Sequence, residues 1–422
     1  MATSCQPRLR SSHRLSFGPS LLILSRVVAA LLCVLVPAVT SLAPKPKQEL
    51  CDLSRGAWMR SPRRFPRYTT VAGRPSTCPF VRSSYACERN NRPDLRYREY
   101  RWQPFDCPIS YFSPSGFRFL MRNRRMLLVG DSMMSNLFEA LLCSISSAGY
   151  DGQPFKRKTK GEWSIKGVRF PAFSFSLEYY FSPYIVRASR RSIRNGVTGK
   201  GGHGFDVYVD EMDPVLEHVM TNYSTVVFHS GVWWLQNVPR RTVPNLFFAG
   251  GTQRNLTNIA AHTWALSTVR SFVKKIDYSG VPFFLSFSPK HAGAGETQPG
   301  VEGSGGGAWV GACGAHVPAS STFVHSRYSD SLDTAEEYAA AQKSVFQGSP
   351  VRFLDVTGIS ALRPDAHLGV WWHSRDQSGP NSPQEQGELP FSGDCTHWCL
   401  PGVPDMWVDV MYTHMILEPS LF

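Results

Sequence analysis

The feature that most restricts this fold is the distance between two strings that make chemical sense only together. The first is Gly130-Asp131-Ser132; the second, close to the C-terminus, is Asp394-Cys395-Thr396-His397-Trp398-Cys399. Between them they offer a nucleophile, a base and a carboxylate to orient the base, the minimum set for acyl transfer. Two halves of one site separated by most of the chain must meet inside one fold, so the 422 residues are not divided into the two or three domains that length alone suggests.

The flanks of the first string define its local structure. Met126-Leu127-Leu128-Val129 is a short, fully apolar run ending in glycine, as expected of a buried strand in a parallel sheet. Met133 to Ile145 continues with helical spacing through Leu137, Phe138, Leu141 and Leu142. Ser132 at such a strand-to-helix turn stands at the carboxyl edge of the sheet, beside backbone N–H groups and the positive end of the helix dipole. The plain alternative is that Asp131 and Ser132 only cap the helix. In the second string Asp394 and His397 are three apart, which places both side chains on one side of a helical turn or tight loop. The carboxylate then accepts from one imidazole nitrogen and leaves the other for the serine proton. A metal reading of Asp394, Cys395, His397 and Cys399 is the competing one, and Asp365 with His367 forms a second possible acid–base pair.

Thr225–His229, Pro282–Ser288 and Val351–Asp355 are further strand candidates, separated by helix-compatible stretches such as Ala260–Lys275. Apolar strands alternating with helices imply a three-layer α/β/α domain around a mostly parallel sheet. Residues 20–43 are mostly apolar, and Val27–Ala43 is near the short limit for a membrane span of about 20 residues. A cleaved signal peptide is the rival reading. Setting aside Cys5 and Cys33, eight cysteines remain, an even set that suits disulfides in an oxidising compartment and counts against the metal reading. The sequons at Asn222 and Asn255 agree with glycosylation there. The net charge of +13 has a bland explanation in solvated surface and membrane-flanking arginine, and a functional one in contact with an acidic polysaccharide. Nucleic acid is a poor partner for a lumenal protein. Trp233-Trp234 and Trp371-Trp372 are candidates for stacking on sugar faces, and Gly300–Gly311 and Ser374–Gly393 read as loops.

The chain resembles the plant trichome birefringence-like family, PC-esterase-type cell-wall polysaccharide O-acetyltransferases. The resemblance is carried by Cys51-Asp52-Leu53 with Gly56 and Trp58, Asn91-Arg92-Pro93-Asp94, Tyr100-Arg101-Trp102-Gln103-Pro104, the Gly-Asp-Ser string, Gly231 with Trp233-Trp234, Ser288-Pro289 with His291, and Arg363-Pro364-Asp365 with His367. It closes on Asp394-Cys395-Thr396-His397-Trp398-Cys399-Leu400-Pro401-Gly402-Val403-Pro404-Asp405 with Trp407, which is the most specific of these strings. The chain departs from the family pattern at Ser135, where arginine is usual, and at His229 and Val408, where asparagine is usual. The resemblance implies a GDSL/SGNH-hydrolase-like fold behind a type II Golgi anchor: a cytosolic tail at 1–19, a transmembrane segment at 20–43, a stem at 44–50 and a lumenal catalytic domain at 51–422. It implies Ser132, His397 and Asp394 as catalytic residues, with Asp131, Asn136, Gly231, His229, Trp233 and Trp234 around the oxyanion and substrate. It pairs Cys51 with Cys107, Cys78 with Cys143, Cys87 with Cys399, and Cys313 with Cys395. No cofactor or metal is expected to be bound. An acetyl donor, acetyl-CoA or another carrier, is the co-substrate, and a xylan, pectin, mannan or xyloglucan is the acceptor. A carbohydrate acetyl-esterase with the same triad, or a non-catalytic wall-polysaccharide-binding protein, are the alternatives.

Overall fold

The computed structural model describes residues 52–61, 66–194, 201–235, 244–291, 313, 318–369, 371 and 394–422. The proposed anchor at 20–43, Cys51, Trp372 and the loops at 300–311 and 374–393 lie outside them. Among the described residues no helix is long and apolar enough to cross a membrane.

In chain order, β1 (Gly56–Arg60) and β2 (Tyr100–Pro104) form an antiparallel ribbon, followed by α1 (Pro114–Met121). The apolar run becomes β3 (Arg125–Gly130), and α2 (Ser132–Ser146) leaves from its end. Next come β4 (Gln153–Arg157), β5 (Ile165–Phe170), β6 (Phe175–Phe181), β7 (Val186–Arg194) and β8 (Gly201–Met212). Then follow α3 (Pro214–Val219), β9 (Thr225–Phe228), β10 (Leu246–Ala249), β11 (Thr252–Arg254), α4 (Asn258–Lys275) and β12 (Val281–Leu285). The chain ends with α5 (Ser321–Phe346), β13 (Arg352–Leu354), α6 (Thr357–Ala361), β14 (His367–Gly369), β15 (Asp394–Trp398) and α7 (Val403–Leu417).

The main sheet has the order β13-β12-β9-β3-β6-β5-β4. Its strands from β13 to β6 are parallel, and β5 and β4 add an antiparallel edge, so the sheet is mixed with a parallel core. Successive residues of a strand face opposite sides of a sheet, and β6 shows what covers each. Tyr179 meets Phe138 of α2, with ring centroids 5.7 Å apart. Tyr180 belongs to a core that Leu127 and Val129 share with Leu266, Val269 and Val273 of α4 and Val345 and Phe346 of α5. Helices therefore cover both faces, and Met126 to Val129 are fully buried. The helices start where side chains can cap them: Asp131 for α2, Asp213 for α3, Thr257 for α4 and Ser320 for α5 each accept from a backbone N–H of the first turn. A second, four-stranded sheet, β11-β10-β8-β7, packs against α4 through its own apolar cluster. It includes the arginine-rich stretch that the sequence offers only as positive charge.

Among the described residues Cys78 pairs with Cys143, Cys87 with Cys399 and Cys313 with Cys395, as the resemblance implies. Cys107 is also disulfide-bonded. Asn222 and Asn255 are both exposed.

Candidate active site

Ser132 owes its position to two neighbours. Gly130 has φ +157°, and a Cβ there would collide with the backbone oxygen of His229 at the end of the adjacent strand, so only glycine lets β3 and β9 close together. Asp131 is fully buried and its carboxylate accepts from Met133 N at 2.9 Å, fixing the start of α2. Ser132 follows as the first helical residue, half-buried, where backbone N–H groups have no intrahelical acceptor.

His397 Nε2 lies 2.7 Å from Ser132 Oγ, and His397 Nδ1 lies 2.6 Å from Asp394 Oδ2. The second carboxylate oxygen of Asp394 accepts from the backbone N–H groups of Thr396 and His397, each at 2.9 Å. The side chain thus folds its own segment around the imidazole. That segment is not the helical turn expected from the three-residue spacing. It is a short strand, β15, paired irregularly with β14, and the Asp394 side chain rather than helical geometry brings the two groups together. Burial works against the Asp394 charge, but the His397 imidazole and the two backbone donors outweigh it and hold the carboxyl well below the usual carboxylate range.

The neighbouring histidine pair plays another part. His367 Nδ1 lies 2.9 Å from the backbone oxygen of His397, and its Nε2 meets His291 Nδ1 at 2.7 Å. His291 Nε2 in turn donates to Ala361 O at 2.7 Å. Burial pulls the His367 pKa well down and that of His291 to about 4. Both nitrogens of His367 are engaged away from Ser132, and its ring lies 3.7 Å from that of Trp398. The pair therefore orders the backbone of the segment that presents His397.

Four residues expected around the oxyanion or substrate are corrected by their burial. Asn136, on α2, holds the backbone of β15: its Nδ2 donates to Trp398 O at 3.2 Å and its Oδ1 accepts from Trp398 N at 3.3 Å. His229 has no exposed surface, with Nδ1 3.1 Å from Leu285 O and Nε2 3.5 Å from Asp131 Oδ1. Its ring and the Asp131 carboxylate lie beneath the nucleophile rather than facing a ligand. Trp234 is likewise fully buried, and its Nε1 donates to Ser230 Oγ at 2.7 Å. Sequence alone does not distinguish a polar side chain turned into the core from one turned out. Gly231, at the carboxyl end of β9, packs closely under Phe287, and Trp233 is half-buried among aromatic rings. With those side chains buried, backbone N–H groups at the start of α2 are left without an intrahelical acceptor beside Ser132.

Several supports went unnoticed in the sequence. Tyr85 stacks on His397 with centroids 5.8 Å apart, and Arg82 lies over Tyr85. Arg82 Nε also pairs with buried Glu139 at 2.6 Å, while its other end bonds the Ser135 hydroxyl. The Ser135 hydroxyl is thus held by a guanidinium from another segment. One signal was present: Tyr85 is two residues from Cys87, and Cys399 is two from His397. The metal reading fails on its donors, since Cys395 and Cys399 are both disulfide-bonded. Among the described residues no group of three or more His, Cys, Asp or Glu could hold a metal ion.

Residues 109–414 match the PC-esterase model, described as a GDSL/SGNH-like acyl-esterase family found in Pmr5 and Cas1p, and residues 49–108 match the PMR5 N-terminal domain. Xylan O-acetyltransferase 6 of Oryza sativa subsp. japonica is 28% identical over 381 residues, covering 88% of this chain and 63% of the rice protein. Protein trichome birefringence-like 26 of Arabidopsis thaliana is 29% identical over 370 residues, 86% of this chain and 76% of its own. Protein trichome birefringence-like 41 of the same plant is 28% identical over 396 residues, 92% and 96% respectively.

Proposed function

Since the chain belongs to the PC-esterase family, we propose that it is a polysaccharide O-acetyltransferase acting through an acyl-serine intermediate. The carrying observation is the hydrogen-bonded series Ser132–His397–Asp394 at the N-terminus of α2. His397 Nε2 takes the Ser132 proton as Oγ attacks the acetyl carbonyl of the donor, acetyl-CoA or another acetyl carrier. The tetrahedral oxyanion is held by backbone N–H groups, and its collapse releases the donor's leaving group with the proton from His397. A sugar hydroxyl then attacks the acetyl-serine, His397 removes its proton, and collapse returns that proton to Ser132 Oγ. Asp394 keeps the imidazole in the tautomer that accepts at Nε2 and stabilises the imidazolium formed in each half-reaction.

The names of the rice relatives point to xylan as acceptor; pectin, mannan and xyloglucan are the other members of the class. The disulfides favour an oxidising compartment, which supports a Golgi type II membrane protein anchored by 20–43 with residues 51–422 in the lumen. Protease protection of the chain in sealed microsomes tests that orientation. The activity is tested by incubating purified protein with an acetyl donor and a panel of cell-wall oligosaccharides and following acetylated products by mass spectrometry. Acetylated oligosaccharide establishes the transferase. Release of free acetate from acetylated oligosaccharides, with no transfer, would instead make the protein an esterase using water as acceptor.

A further inference from the structure

We propose that a cavity of about 580 Å³ beside Phe181 is a subsite that holds an uncharged stretch of the acceptor sugar chain. The proposal rests on the acetyltransferase reading and adds to it the chemistry of the acceptor. Position comes first. Gly130 and Phe181 are aligned across the β3–β6 ladder, and Ser182 N donates to Gly130 O at 3.0 Å. The cavity wall thus begins where the strand that carries Ser132 ends, at the carboxyl edge where ligands of open α/β sheets bind. Trp233 follows Gly231 at the end of β9, and its ring meets Phe181 at 5.5 Å and Phe205 at 5.6 Å. The cavity wall at Phe181 is therefore adjoined by the strand end that leads to Ser132 and by the Trp233 ring. The volume lies in the usual range for small-ligand sites.

The lining is aromatic, and each of its two arginines is paired with an acid behind it. Trp163, on the β4–β5 connection, is 39% exposed and stands edge-on to Phe181 with centroids 4.9 Å apart. A broad, accessible indole held by a second ring suits the C–H face of a pyranose, which is apolar and oriented. The two arginines that would otherwise grip a carboxylate or phosphate are already engaged. Arg157 bonds Glu178 and Tyr223 Oη, and Arg187 makes a two-point pair with Glu211. Asp213 in the wall accepts from Ser182 Oγ and from Val215 N. Lys158, Lys160 and Glu162 stand exposed on the same connection. Such a site selects shape and C–H surface rather than negative charge, and this revises the acidic acceptor suggested by the net charge.

The test separates binding from turnover. In Ser132→Ala protein, neutral β-linked xylo-oligosaccharide is titrated by calorimetry, in parallel with the same chain carrying a uronic acid. Trp163→Ala should weaken neutral-chain affinity roughly five- to tenfold, the loss of one aromatic contact. Ala188→Trp, which fills the cavity from β7, should abolish it, and Trp264→Ala, an exposed indole on α4, should leave it unchanged. Affinity should be flat from low to physiological salt. In the active protein Trp163→Ala should raise KM for the acceptor while the rate of acyl-enzyme formation from donor stays the same. Unchanged affinity in both cavity variants, or a uronate-bearing chain bound more tightly and lost steeply with salt, overturns the subsite. Binding that needs Trp163 without any acetyl transfer would leave the subsite standing and defeat the acetyltransferase reading; transfer indifferent to both variants would do the reverse.

Discussion

Ser132 begins a helix whose next thirteen residues are all buried, at the end of the central strand of the main sheet, whereas Asp394 and His397 sit on a five-residue strand that belongs to no large sheet. The first region is positioned by neighbours along the chain: an apolar strand, a glycine, a capping aspartate. The second is held almost entirely from far away. Disulfides attach Cys395 to Cys313 and Cys399 to Cys87, His291 N donates to Cys395 O, and Asn136 grips Trp398. A nucleophile needs a rigid place at a helix start, and local structure supplies it. A base that must meet that nucleophile within hydrogen-bond reach, from a segment with little structure of its own, needs cross-links instead.

The largest effects should come from breaking the chemistry on either side while the scaffolds stay intact. Ser132→Ala and His397→Ala should each lower acetyl transfer by roughly 10⁴-fold with unchanged circular dichroism and melting temperature. His367→Ala should lower melting temperature together with activity. A folded, fully stable His367→Ala protein that fails to form acyl-enzyme, beside an active His397→Ala protein, would reverse the assignment of the base.

Comparing disulfides addresses the scaffolds directly. Removing either Cys78–Cys143, which braces α2, or Cys87–Cys399 should cost about 2–5 kcal/mol in denaturant unfolding. The two losses should differ in kind. Protein lacking Cys78–Cys143 should keep kcat in its folded fraction, and protein lacking Cys87–Cys399 should lose it, because only the latter anchors the base. Equal kcat per folded molecule in both would show that the base segment does not depend on the Cys87–Cys399 tether.

Asn136 is where the two regions join. It lies one helical turn from Ser132, and both of its amide bonds go to Trp398. Asn136→Ala should reduce kcat roughly ten- to a hundredfold through misplacement of His397, with KM for the acceptor little changed in steady-state assays.

The smallest effect is in the pH dependence of stability, where the base segment and α7 oppose each other. Asp394 has a depressed pKa, so its contribution is present above the ordinary value of 3.8 and is lost as pH falls below it. Asp405 and Asp409, fully buried on α7, are pushed up to about 6 by burial, which the nearby Arg67 only partly offsets. The folded chain binds more protons than the unfolded one between about pH 4 and 6, so their contribution is lost as pH rises through that window. Asp409→Asn should therefore flatten the decline in unfolding free energy from pH 4 to 6, by on the order of 1–2 kcal/mol. An unaltered slope would place the titration elsewhere.

The same contrast explains what could be read from the sequence. The strand before Gly130, the helix after Ser132 and α4 were legible because apolar periodicity reports burial of nearby residues. Thr225–His229, Pro282–Ser288 and Val351–Asp355 each fell on a strand of the main sheet, within a few residues of its ends. In the second sheet β7 mixes arginine with small residues and offers no apolar face to periodicity, whereas Phe205, Val207 and Val209 of β8 do alternate and were the signal available for it. The Asp394–His397 pair was legible as chemistry but not as conformation, since its shape depends on side-chain bonds to its own backbone and on partners such as Tyr85. His229, Asn136 and Trp234 were placed at the right edge of the sheet, and only the direction of their side chains was beyond reach.

The disulfide between Cys87 and Cys399 spans 312 positions, and the serine and its base are 265 apart. During synthesis a ribosome completes the nucleophile, its strand and most of the sheet before the base exists in any form. On the proposed mechanism a chain stopped short of residue 394 has its nucleophile but no base, and forms no acyl-serine however well its earlier portion folds. Activity would then report that synthesis has passed the Asp394–His397 segment and that Cys399 has been joined back to Cys87.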